Sequence, residues 1–100
     1  MRVTFSPLSR NDLIDIGDCI AQDSRANARR FAAKLRGQCQ RIGRAPWGYA
    51  SREDLAAALR MAPFGRYIVF FRVLDGVVRI ERVLHATRNL PALLTGEHDV

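Results

Sequence analysis

Residues 67–84 read YIVFFRVLDGVVRIERVL, two runs rich in β-branched and aromatic residues joined by Asp75-Gly76. Both central positions of a type I′ turn need positive φ, which Asp-Gly supplies readily, so this stretch predicts a β-hairpin of Tyr67–Leu74 with Val77–Leu84. Upstream, Leu59–Pro63 predicts another strand, turned into the hairpin by Phe64-Gly65-Arg66, and the three together form an antiparallel meander.

Working outward, Val3-Thr4-Phe5 alternates as a short strand, and Ser6-Pro7 follows as an N-cap serine with proline in the first helical turn. From Pro7 to about Gln22, Leu13, Ile16 and Ile20 recur at helical spacing, and Gly17 beside them leaves room for a close approach by a neighbouring element without requiring one. Asp23-Ser24 breaks that helix and caps a second, whose stripe is Ala28, Phe31, Ala32, Leu35, Cys39 and Ile42, with Gly43 and Pro46 as stop signals. So short a join predicts an antiparallel helical hairpin. Residues 45–54 read as a loop passing into a helical turn over Leu55–Ala58. The expected class is α+β in the order β-α-α-β-β-β, an antiparallel sheet meander with the two-helix hairpin packed on one face.

The chain's 100 residues suit one domain spanning 1–100, with about 95–100 read as a flexible polar tail. No stretch approaches the roughly 20 uncharged residues of a membrane span, and Met1–Pro7 does not read as an export signal, so a cytoplasmic protein is expected. Cys19 and Cys39 lack metal-ligand spacing and read as small core thiols. There is no glycine-rich phosphate loop and no zinc pattern, so neither a cofactor nor a metal is expected. Sixteen basic against ten acidic residues give +6, and every cation but Lys34 is arginine. Arginine's planar fork matches carboxylates and phosphates, which points to an acidic protein partner or a nucleic acid.

Four fragments narrow the reading. Val3-Thr4-Phe5-Ser6-Pro7, Ala28-Arg29-Arg30-Phe31, Gly65 to Val73, and Arg82-Val83-Leu84-His85-Ala86-Thr87-Arg88-Asn89-Leu90, in this order and spacing, resemble the ParE-type toxins of the ParE/RelE superfamily. The resemblance implies a toxin that binds and inhibits DNA gyrase, encoded beside a ParD-like antitoxin that neutralises it in a hetero-oligomer. It implies no enzyme and no sequence-specific nucleic-acid binding. The other branch, RelE, implies a ribosome-dependent messenger RNA endonuclease, and a third reading is a non-toxic interaction module of the same fold.

An endonuclease needs a proton acceptor, a proton donor and cations for the developing charge. His85 with Arg72, Arg82 and Arg88 is the set that could supply them; otherwise there are no catalytic residues. For a binding toxin the target-contact candidates are Arg66, Arg72, Arg82, His85 and Arg88, and Arg29, Arg30 and Arg36 on the second helix are the antitoxin-contact candidates. Strand alternation sends Arg79 and Arg82 to opposite faces unless a bulge intervenes, and Glu81 is placed to pair with an arginine. Tyr67, Phe70 and Phe71 read as sheet-packing residues. Trp47 reads as a cap on the core or as an exposed interface anchor.

Overall fold

The computed structural model describes residues 1–87. The proposed tail and Arg88 lie outside the described residues. Along the chain run β1 (Arg2–Phe5), α1 (Pro7–Asp23), α2 (Arg25–Arg44), one 3-10 turn at Pro46–Gly48, β2 (Ala50–Ser51), β3 (Arg60–Phe64), β4 (Tyr67–Leu74) and β5 (Val77–His85). The class and the helical hairpin are as expected. The sheet is not a pure antiparallel meander. Strands β2 to β5 pair antiparallel in sequence order, but β1 lies parallel to β5, giving the order β1-β5-β4-β3-β2. A parallel neighbour needs a long crossover, and the α1–α2 hairpin is one. It returns the chain to the sheet at the far side of β3, so the last strand ends up beside the first.

Two serines fix the helical layer. The Ser6 Oγ accepts from the Ser9 amide at 3.0 Å and donates to the Glu81 carbonyl at 2.7 Å, while the Ser6 amide donates to the Ile80 carbonyl at 2.9 Å. It caps α1 and ties it to β5 together. The Ser24 amide donates to the Ile20 carbonyl at 2.9 Å and its Oγ accepts from the Asn27 amide at 3.1 Å, so one residue closes α1 and opens α2.

Gly43 does not stop α2, which continues to Arg44. Its role is clearance: a Cβ there would stand 2.8 Å from the Met1 carbonyl oxygen and 3.0 Å from Val3 Cγ2. The Met1 amino group donates to the Gly43 carbonyl at 2.7 Å, so β1 is seated against α2 at this glycine. At Gly17, by contrast, no described atom from outside its own stretch of helix lies within 4 Å of a Cβ, so the room it leaves for a close approach is not used by the described residues.

Under the helices, Val69, Phe71, Val78, Ile80 and Val83 of the sheet pack with Leu35, Cys39 and Ile42 of α2. Full burial of each large apolar side chain stabilises the fold by about 1.5–3 kcal/mol. The expected helical turn over Leu55–Ala58 is instead a run of turns with Ala58 in the left-handed region (φ 58°). Leu55, Ala56 and Leu59 pack on Phe70, Leu84, Met61 and Ile68, so apolar demand on the second sheet face draws this segment across it.

Cys39 is buried, and burial pushes its thiol from the ordinary 9.0 up to about 11. The folded chain therefore holds this proton more tightly than the unfolded one. The stability involved is complete below pH 9 and is lost as pH rises toward 11. Cys19, read as core, is exposed on α1. Trp47 does not cap the core either: it is 62% exposed, with the Arg60 guanidinium 4.9 Å from the centre of its ring, and Pro46 is the buried residue of that turn.

Candidate functional site

Arg72 and Arg79 stand directly opposite one another on β4 and β5, a repulsive cross-strand pair. Glu81 resolves it. Its carboxylate lies 2.9 Å from Arg72 Nη1 and 3.2 Å from Arg79 Nε, and Arg72 Nε donates onward to the Ala57 carbonyl at 2.9 Å. Glu81 is also the extra residue of a β-bulge, since Phe70 pairs with Arg82 and Phe71 with Ile80. The bulge resets the alternation, and Arg79 and Arg82 consequently line one cleft of about 280 Å³ together with Arg72 and Glu81.

Arg82 is clamped to α1. Its Nε and Nη2 donate to the two carboxylate oxygens of Asp12, each at 2.8 Å, and the Val83 amide donates to Asp12 Oδ2 at 3.0 Å. The hydrogen-bonded carboxylate, opposed in part by burial, holds the Arg82 guanidinium above its usual range. The pair is 15% and 12% exposed, so water screens it weakly.

His85 faces the other way. It is paired with Tyr67, its ring meets the Tyr67 ring edge-on at 5.4 Å, and Nδ1 is 2.7 Å from Thr87 Oγ1. Tyr67 in turn packs against Phe31 of α2, which puts His85 on the helix-covered face, in a cleft that Asp15, Cys19 and the Asp12–Arg82 pair also line. Arg72 is on the opposite face beneath the Leu55–Leu59 segment. Of the set His85, Arg72, Arg82 and Arg88, the structure brings His85 and Arg82 to one cleft and leaves Arg72 apart, with Arg88 outside the described residues. Of the target-contact candidates, Arg66 and His85 are brought to one end of the β4–β5 ladder, where the Arg66 carbonyl accepts from the Ala86 amide at 2.9 Å.

Arg29, Arg30 and Arg36 are all exposed on α2. No Asp or Glu occurs from Ser24 to Arg52, while Arg25, Lys34, Arg41 and Arg44 add to the same helix. Arg29 and Arg36 share one stripe; Arg30, Lys34 and Arg41 form a second. Between α2 and β1 runs a groove of about 700 Å³, its walls made by Val3, Phe5, Leu35 and Cys39 and its rim by Arg36 and Arg44. Among the described residues β1 is an end strand, with one edge unpaired beside that groove. Sequence reasoning did not single out Arg44 as a rim residue. Nor did it find Asp12, whose bond to Arg82 joins residues 70 apart.

Among the described residues no group of three His, Cys, Asp or Glu could hold a metal ion, and no helix is long and apolar enough to cross a membrane. The family model described as "ParE toxin of type II toxin-antitoxin system, parDE" matches residues 3–90. A solved structure titled "Chromosomal ParDE TA system from P. aeruginosa" superposes with a TM-score of 0.73, covering 85% of this chain and 95% of that one at 17% identity. At that identity the likeness speaks for the fold alone. No curated protein matches the sequence. With 88 of the 100 residues inside the family match, the chain belongs to the ParE toxin family of type II toxin-antitoxin systems.

Proposed function

We propose that the chain is a cytoplasmic toxin that inhibits DNA gyrase by binding it, without catalysis, and that a ParD-like antitoxin neutralises it. The observation that carries the choice between branches is the dispersal of the nuclease set. Arg82 shares a cleft with His85 but is matched by Asp12, and Arg72, matched by Glu81, lies on the other sheet face. A guanidinium already matched by a carboxylate has little left for a developing phosphorane charge. Target contact is assigned to Arg66 and His85 at the end of the β4–β5 ladder and to Arg88, which follows them in the sequence, with Arg72 and Arg82 holding the architecture behind them.

The antitoxin reading follows from charge and shape. An acidic, initially disordered segment would dock an amphipathic helix in the groove between α2 and β1 and could add a strand to the free β1 edge. Arg29, Arg30 and Arg36 would supply the attraction. Expression of the chain alone is expected to arrest growth, and co-expression of the adjacent gene to restore it. Normal growth of cells producing soluble, folded chain would instead favour the non-toxic interaction module.

A further inference from the structure

A second cleft lies on the other flank of α2, between that helix and the β3–β4 turn, with a volume of about 510 Å³. Its floor is aromatic: Phe31 meets Phe64 at 5.4 Å and Tyr67 at 5.5 Å, both edge-on. Arg30, Lys34 and Arg66 form its rim, all exposed. The turn itself keeps the mouth open, because Gly65 (φ 58°) leaves free space where a Cβ would be.

The charge here differs from that on the β4–β5 arginines. Those are matched by Glu81 and Asp12, whereas no carboxylate lines this cleft among the described residues, and the Arg30 side chain bonds only the neutral Asn27 Oδ1, at 2.6 Å. Three cations over an aromatic floor suit a ligand with an apolar body and flanking negative charge. A large apolar side chain buried on the rings gains about 1.5–3 kcal/mol of transfer free energy. Carboxylates beside it would meet guanidinium and ammonium groups that have no carboxylate partner among the described residues.

We infer that this cleft is a second anchoring site for the antitoxin, taking a bulky apolar side chain flanked by Asp or Glu. The inference rests on the toxin-antitoxin reading above. The two grooves lie on opposite flanks of α2, so one acidic segment crossing the helix would be held at both ends, and losing either anchor leaves the other engaged.

The test uses the full chain and the purified product of the adjacent gene. Titration calorimetry of the Lys34→Glu/Arg66→Glu variant should show affinity reduced at least tenfold, and hydrogen exchange of the wild-type complex should show the Phe64–Tyr67 amides newly protected. Wild-type affinity in the variant, or unprotected turn amides, would overturn the second anchor while leaving the toxin-antitoxin reading in place. Failure of the wild-type chain to bind that protein at all would remove the reading on which the anchor rests. A tenfold gain in affinity on Glu97→Lys/Asp99→Lys would make the chain's own carboxy-terminal residues the occupant, and would also overturn the assignment.

Discussion

Asp12→Ala is expected to lower the melting temperature by about 10–20 °C, corresponding to a loss of about 2–4 kcal/mol in a domain of this size. The carboxylate accepts both arms of the Arg82 fork and the Val83 amide, and it is the side chain that holds α1 against β5 beyond the Ser6 cap. Its removal takes two charge-assisted hydrogen bonds from a poorly exposed guanidinium and the acceptor from the Val83 amide. Asp12→Asn should cost about half as much, because the amide keeps one oxygen for either donor. Asp12→Leu/Arg82→Met should recover most of the loss, since exchanging both partners for apolar groups removes the desolvation cost along with the attraction. A shift below 2 °C for Asp12→Ala would show that the pair is marginal. Its role as a clamp, and with it the argument that Arg82 is unavailable for chemistry, would then fall.

Reversing charge along α2 should have the largest effect on capture. Arg29→Glu, Arg30→Glu and Arg36→Glu each weaken antitoxin binding singly, and the triple variant is expected to lose at least a hundredfold in affinity. Each reversal removes two positive charges from a chain of formal charge +6, so the triple variant is formally neutral. Long-range steering disappears with the field, and the association rate should fall by about 10–1,000-fold and lose most of its salt dependence. All three side chains are exposed, so the fold should survive. Surface-binding kinetics over a range of salt concentrations provide the measurement. Unchanged affinity in all three single variants and the triple would exclude α2 as the electrostatic contact.

Local chemistry was readable from the sequence wherever a residue acts on its near neighbours. Asp75 and Gly76 adopt φ of 52° and 73°, as the two-residue turn requires, and Ser6 and Ser24 cap the helices that follow them. What could not be read depends on segments far apart in the chain. The parallel seat of β1 beside β5, the Asp12–Arg82 clamp and the packing of Leu55 and Leu59 over the second sheet face all follow from tertiary contact. Gly43 shows the difference well: a glycine near a helix end reads as a stop, but here it is needed because β1 passes within van der Waals range.

The candidate site divides in the same way. The pairing of Glu81 with an arginine could be anticipated from strand spacing, and a bulge was the stated condition for Arg79 and Arg82 to share a face. The separation of His85 from Arg72 could not, because it depends on which sheet face each helix and loop covers. That separation is one support for the proposal of binding over catalysis.

The most direct test of gyrase inhibition by binding is to incubate purified toxin with gyrase and supercoiled DNA, quench with detergent and protease, and score broken DNA, with messenger RNA on programmed ribosomes followed in parallel. The prediction is accumulation of gyrase-dependent DNA breaks, loss of supercoiling and intact RNA. Ribosome-dependent RNA cleavage with unaffected gyrase would contradict it and make His85 and its neighbouring arginines catalytic candidates.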